Sequence, residues 1–501
     1  MSTAIESRPE PQLQSFVEQS RQALANPPLQ RALTIGTGKA TSAREEARAQ
    51  LGQGYWEHLR DRAHAIKEDA INHLDFYLEQ FAANVEHAGG HVFWAETAEE
   101  ACAYITELAQ RHGLKEVVKS KSMMTEEIGL NKALMSAGIE AIETDLGEYI
   151  VQLANERPSH INMPAIHKTR SDVADLFAEK LGVKRTEEIS QMTAVARRLL
   201  RAKFAGAGMG VTGVNYAIAE TGTIVLVENE GNIRLTTSIP GIHVAVMGIE
   251  KVIPRFEDLD VFLKLLSRSA SGQKMCSYVS LLTGIKSSPS EEGPDEFHVV
   301  LVDNGRTKIL ADEHLRESLY CIRCGACLNV CPVYRKIGGH AYGWVYPGPI
   351  GAVLTPQMIG LHQASALPFA SSLCGACGDV CPVKIKLPEM LLHLRHEVNK
   401  SGKSRSRNVL ERFGFKLWAM AMTGSRRYRA AAWFARVVQT IAGRQNANGK
   451  RALNVPRWSA ARDFPPVAAK SFREQWSDGE SSNAGVATEG HPYNNAGRMF
   501  L

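Results

Sequence analysis

Seven of the nine cysteines fall in two short runs, Cys321-x2-Cys324-x2-Cys327-x3-Cys331-Pro332 and Cys374-x2-Cys377-x3-Cys381-Pro382. The first has the spacing of a bacterial ferredoxin run, in which three thiolates wrap one iron–sulfur cluster and a fourth, before proline, reaches across to a second. Both runs read Cys-Gly-Ala-Cys, three residues, then Cys-Pro-Val, which makes them an internal repeat with Ser371 where the second would have its first cysteine. A two-cluster arrangement puts Cys321, Cys324, Cys327 and Cys381 on cluster 1, and Cys331, Cys374 and Cys377 on cluster 2. Cluster 2 is one thiolate short. It is then a [4Fe–4S] cluster completed by Ser371, a nearby side chain, water or a partner protein, or a [3Fe–4S] cluster that needs three thiolates. Zinc favours two ligand pairs around one tetrahedral ion, whereas four cysteines within eleven residues before a proline suit a cubane. Gly325, Ala326, Gly375 and Ala376 are small enough to let backbone N–H groups approach cluster sulfurs. Cys102 and Cys276 read as small buried hydrophobes.

Other polar groupings carry less chemistry. Gly206 to Thr223 is glycine-rich but has neither Gly-x-Gly-x-x-Gly nor Gly-Lys-Ser/Thr, so it lacks a nucleotide-binding pattern. Thr212, Asn215, Glu220, Thr221 and Thr223 in that stretch are candidates for a polar pocket at the end of a sheet, where α/β folds bind ligands; tight turns and caps account for the same residues. Ser120-Lys121-Ser122 before Thr125-Glu126-Glu127 has the makings of a helix N-cap or an anion site. His160 and His167 flank Pro164, away in sequence from carboxylates or cysteines, and no catalytic residue can be assigned.

The elements that must position the cysteines follow from hydrophobic period. Residues 1–90 read as a helical region, with patterned stretches Ala43 to Leu51 and Trp56 to His87; Pro27-Pro28 and a Gly36-Thr37-Gly38 turn interrupt its start. Residues 91–306 alternate strands and helices, which predicts βαβ units and a largely parallel sheet. The strands expected are His91 to Ala95, Glu116 to Lys119, Gly138 to Thr144, Thr223 to Glu228, Ile233 to Thr237, His243 to Ile249 and Phe297 to Val302, with helices at Thr97 to His112, Thr125 to Ala137 and Glu187 to Phe204. Residues 307–400 form the cysteine-rich domain, its loops rich in Gly and Pro where ligation sets the fold. Residues 401–501 read as a basic region, helical at Asn408 to Met422 and Arg427 to Ile441, with a loosely ordered tail over Ser477 to Gly497.

At 501 residues the chain is long enough for about three domains, and 44% hydrophobic with 22% charged residues is ordinary for a soluble globular protein. The N-terminus lacks a signal-peptide pattern and no window is apolar enough to span a bilayer. With clustered thiols, this predicts a cytoplasmic protein. The net charge of +5 is uneven: Lys400 to Arg451 holds thirteen Lys or Arg against Glu411 alone. With Trp418 and Trp433 among its arginines, this region suits peripheral contact with anionic lipid or an acidic partner. No nucleic-acid motif accompanies the charge.

Taken together, the motifs are specific. The chain resembles the lactate-utilisation protein B family through Lys119-Ser-Lys-Ser-Met-Met-Thr-Glu-Glu-Ile128, Glu143-Thr-Asp-Leu-Gly-Glu-Tyr149, Pro158-Ser-His-Ile-Asn-Met-Pro-Ala-Ile-His167, Ala219-Glu-Thr-Gly-Thr223, both cysteine runs and Tyr346-Pro-Gly-Pro-Ile-Gly-Ala352. The resemblance implies an α/β first half like the CoA-transferase and sugar-isomerase folds, followed by an α-helical ferredoxin-type domain with two clusters on the seven cysteines above. It implies an electron-transfer subunit of a multi-protein system oxidising L-lactate to pyruvate, working with a cysteine-rich protein and a second α/β protein of related type. Two alternatives use the same residues: a hydro-lyase with the three-thiolate cluster as Lewis acid, and an acyl- or CoA-binding enzyme with auxiliary clusters.

Overall fold

The computed structural model describes residues 16–288, 290–400, 409–445, 451–452 and 466–477. The described residues up to 400 belong to one compact unit and those from 409 onward to a second. Most of the expected tail, beyond Ser477, lies outside the described residues.

Four helices open the chain: α1 (Phe16–Leu24), α2 (Pro27–Leu51), α3 (Gln53–Asn72) and α4 (Leu74–His87). Two expectations change here. Pro27 and Pro28 start α2 rather than interrupt it, because proline suits the first helical positions. Gly36 lies inside α2, where Ile166 packs 2.8 Å from the position its Cβ would occupy, so the glycine makes room for a crossing chain instead of forming a turn. The stretch Trp56 to His87 breaks at His73 (φ −121°, ψ 39°), so its single stripe of apolar residues serves two helices.

Ten strands follow: β1 (His91–Ala95), β2 (Glu116–Lys119), β3 (Glu140–Glu143), β4 (Met209–Gly213), β5 (Tyr216–Ile218), β6 (Thr223–Glu228), β7 (Ile242–Gly248), β8 (Val252–Ile253), β9 (Tyr278–Leu282) and β10 (Glu296–Val302). Six form a sheet in the order β1-β10-β7-β4-β2-β3, parallel throughout, with Val300 of β10 opposite Val246 of β7 and Phe93 of β1. Alternation assigns its two faces. Phe297, Val299 and Leu301 join the large core shared with the N-terminal helices, whereas Val300 and Val302 join a second core with Ile105, Val117 and Val244.

The remaining strands make a separate sheet, β8-β5-β6-β9, with β5–β6 and β6–β9 antiparallel. The Ala219 to Thr223 motif is its hairpin turn. Gly222 has φ 67° and a Cβ there would sit 2.6 Å from the Val85 nitrogen, so both conformation and contact require glycine. The strand expected at Ile233 to Thr237 is a helix, Asn232–Ser238. Glu228 accepts from the amides of Ile233 (2.7 Å) and Arg234 (2.9 Å), and this anchoring of the first turn overrides the β-propensity of Ile and Thr. The helix expected at Thr125 to Ala137 is two, Met123–Ile128 and Leu130–Ser136, divided by left-handed Gly129.

The cysteine-rich part is a set of short helices, Ala326–Val330, Tyr334–Ile337, Gly348–Met358, Ala376–Asp379 and Leu387–Lys400. Its core is continuous with that of the N-terminal helices: Leu33, Trp56 and Leu59 share one cluster of buried residues with Cys324, Cys331, Leu354 and Leu391. In the second unit the helices Val409–Met422 and Ser425–Ala442 are followed by Phe472–Ser477, tied back by an Arg436–Glu474 ion pair of 2.9 Å.

Candidate iron–sulfur site

The two cysteine runs are built alike. In each, a left-handed glycine, Gly325 (φ 74°) or Gly375 (φ 87°), precedes a one-turn helix, and the last thiol follows that helix. Cys321, Cys324, Cys327 and Cys381 line one small cavity, closed otherwise by Ile161, Ile322, Ile350, Val383, Ile385 and Leu387. Cys331, Cys374 and Cys377 form a second group: Cys331 feels the charge of Cys374, and Cys377 that of Cys331 and Cys374. Cys374 is exposed, Cys321 and Cys327 are half-buried and the other four are buried.

This geometry suits iron–sulfur clusters better than zinc. Four thiolates on one zinc, with Zn–S bonds of about 2.3 Å, would bring their sulfurs within about 3.8 Å of one another. Among the described residues the group of three donor atoms that all lie within 4.8 Å is Glu126, Glu143 and Glu148, not thiols. The cysteines surround a wider, apolar space with soft donors. Burial pushes the thiols of Cys324, Cys327 and Cys331 up, Cys377 to about 12 and Cys381 to about 11. Thiolate formation here therefore depends on the metal, whose binding releases the protons. Backbone amides already point at sulfur, among them Arg323 to Cys321 (3.4 Å), Ile385 to Cys381 (3.4 Å) and Tyr334 to Cys331 (3.5 Å).

The N-terminal helices hold the second run in place. Arg60 of α3 donates to the carbonyls of Cys381 (2.9 Å), Asp379 (2.9 Å) and Gly378 (3.4 Å) and pairs with Glu57. Arg44 of α2 reaches the Val380 carbonyl (3.2 Å) and His64 the Val383 carbonyl (2.9 Å). These residues were not anticipated; their one sequence signal is that Arg60, His64 and Lys67 form a polar row at helical spacing beside the apolar stripe of α3.

The loop through Pro158 to His167 holds the first run. His160 Nδ1 accepts from the amides of Asn162 and Met163, which leaves Nε2 to donate to Asn329 at 3.2 Å. Asn162 donates to the Cys324 carbonyl, and Tyr334 donates to the Ser159 carbonyl at 2.7 Å. Isolated in sequence, His160 thus sits against the cluster loop, and His167 bonds Glu156 at 2.7 Å.

The other candidates disperse. Ser122 caps the helix Met123–Ile128, accepting from Thr125 N. Thr212 bonds His243 within the large sheet, while Asn215, Glu220, Thr221 and Thr223 belong to turns and strand ends of the smaller one, so the five share no pocket. Cys102 is buried, but Cys276 is half-exposed, so the reading of both as buried hydrophobes fits only the first. Ser371 accepts from the amide of Leu373 at 3.1 Å. No helix among the described residues is long and apolar enough to cross a membrane.

Comparison with known proteins agrees with this layout. Residues 78–302 match the LUD domain, 317–385 the 4Fe-4S dicluster domain, and 393–480 the lactate utilisation protein B C-terminal region. The chain is 43% identical over 470 residues to lactate utilization protein B of Bacillus subtilis (strain 168), covering 93% of this chain and 97% of that one. It is 44% identical over 440 residues to the protein of that name from Shouchella clausii (strain KSM-K16), covering 87% and 92%. A solved DUF162 family protein from Deinococcus radiodurans aligns with 46% of the chain at 16% identity and a TM-score of 0.26, too slight a likeness to assign a fold. With the cysteine runs matching a 4Fe-4S dicluster domain and relatives matched over more than nine-tenths of the chain, the chain belongs to the lactate utilisation protein B family.

Proposed function

We propose that the protein is the iron–sulfur electron-transfer subunit of a multi-protein system that oxidises L-lactate to pyruvate. The observation that carries this is the separation of seven thiols into a group of four around one cavity and a group of three beside it. Cys321, Cys324, Cys327 and Cys381 are assigned to a [4Fe–4S] cluster, and Cys331, Cys374 and Cys377 to a second cluster of the same type or a [3Fe–4S] cluster. When bound, the clusters supply one-electron chemistry. Lactate to pyruvate releases two electrons and two protons, so a pair of one-electron sites suits passage to a carrier or respiratory chain, while a partner supplies the substrate chemistry.

The chain's own residues do the remaining work. Left-handed Gly325 and Gly375 bring backbone amides toward the cluster sulfurs, and the N–H···S contacts to Cys321, Cys331 and Cys381 stabilise thiolate charge. The apolar wall around the group of four keeps water out. Ser371 Oγ, three residues before Cys374, accepts from the Leu373 amide and has a second lone pair, which supports it as the fourth ligand; a water or a partner side chain is the alternative.

By its likeness to the family, the protein works in the cytoplasm with a cysteine-rich protein and a second LUD-type protein, and its α/β half is of the CoA-transferase and sugar-isomerase type. Exposed Trp418, Trp433 and Phe434 among arginines in the second unit support peripheral contact with an anionic membrane. Anaerobic reconstitution with iron, sulfide and EPR analysis tests the core of this reading; fewer than about seven irons per chain sinks the two-cluster assignment. Growth on lactate after deletion of the gene tests the substrate.

A further inference from the structure

The cations that reach the two thiol groups are very unequal. Arg323 lies between Cys321 and Cys324 on a left-handed backbone (φ 58°), its side chain 9% exposed and stacked 4.6 Å over the Tyr346 ring. One of its N–H groups pairs with Glu250 at 3.3 Å, while Nη1 is buried with no acceptor. Glu250 also binds Arg306, which forks onto Glu127 at 2.8 and 2.9 Å, and Tyr346 closes the ring by donating to Glu127 at 2.6 Å. Lys67 donates to the Glu250 and Val252 carbonyls.

Arg323, Lys67 and Lys251 all act on Cys321, Arg44 acts on Cys324 and Arg60 on Cys381. In the other group Arg335 acts on Cys331, and Cys377 feels chiefly its neighbouring thiols. Reduction adds a negative charge to a cluster, and buried cations, being poorly screened, favour that added charge. Water at exposed Cys374 favours reduction of the other group too, but it is set against Arg323, a buried guanidinium beside Cys321 whose Nη1 has no acceptor of its own.

We propose that Arg323, braced by the buried ion network of the α/β domain, holds the cluster of Cys321, Cys324, Cys327 and Cys381 at a higher reduction potential than its neighbour. An electron entering the pair therefore settles beside the α/β domain. This rests on the two-cluster reading above. Arg323 is a positioning residue for the electron: it touches no substrate.

Potentiometric titration of the anaerobically loaded full chain, followed by EPR, tests it. Wild type shows two transitions, and Cys374→Ala removes or displaces the lower one. Arg323→Gln moves the higher transition down and leaves the lower in place, whereas Arg323→Lys, which keeps the charge, holds it near wild type. Lys251→Met removes a second charge that acts on Cys321 and shifts the same transition down, which keeps the test open where Arg323→Gln does not fold. A higher transition unmoved in both variants overturns the inference, as does loss of the higher transition in Cys374→Ala. A wild-type chain that loads and titrates as one cluster overturns the two-cluster reading instead.

Discussion

Arg60 illustrates how much one buried side chain can carry. Its guanidinium satisfies three carbonyls of the second cysteine run, so Arg60→Ala leaves them buried without a donor. Lost hydrogen bonds of this kind, with Glu57 left behind, cost about 2–4 kcal/mol. A lower melting temperature and faster cluster loss in air are the expected results; an unchanged melt counts against the bracing role. The histidines make a second prediction. Burial lowers His160 and His243 to about 3 and His167 to about 4, from an ordinary 6.5. Each is neutral when folded and takes up a proton on unfolding below pH 6.5, so the unfolded chain binds more protons there. These histidines therefore cost no stability well above pH 6.5 and lower it progressively as the pH drops from there toward 3 to 4. Thermal melts between pH 8 and 5 check this, and His160→Gln, which keeps a donor for Asn329, flattens the fall.

Between elements, close backbone approach decides what fits. A Cβ on Gly339 would lie 1.8 Å from the Ser159 carbonyl oxygen, where the cysteine-rich part meets the Pro158 to His167 loop. Gly339→Ala must push backbone away from backbone, at a cost of roughly 2 kcal/mol or more. The loop also holds Asn329 and Cys324 through His160 and Asn162, so the expected outcome is a lower melting temperature together with weaker cluster retention. A stable variant that loses no iron would separate the loop from the cluster site. Asn232–Ser238, where the pattern predicts a strand, belongs here as well: its β-branched residues are helical because the Glu228 carboxylate caps them.

Over the whole molecule, all seven clustered thiols and their bracing residues fall within the compact unit that ends at 404. A chain ending at 404 is therefore expected to fold and load iron to the level of the full protein, with a melting temperature within a few degrees. Iron and sulfide analysis of the shortened chain checks this, and a chain that loads less than half the iron of the full protein makes the basic region part of the fold.

The cysteine spacing, the alternation of strands and helices and the basic character of residues 400–451 were all legible in the chain, because ligand spacing, side-chain period and charge are local properties. The strand limits of β1, β2 and β6 follow from the same local patterning. What only the tertiary structure decided depends on contacts across long separations. Arg60 meets Cys381 over 321 residues and His160 meets Asn329 over 169, and no motif says which residue pairs with which. The second sheet, the break at His73 and the buried Glu127–Arg306–Glu250–Arg323 network are likewise set by packing: an ionic residue looks solvated in a sequence until a partner brought from far away makes its burial affordable.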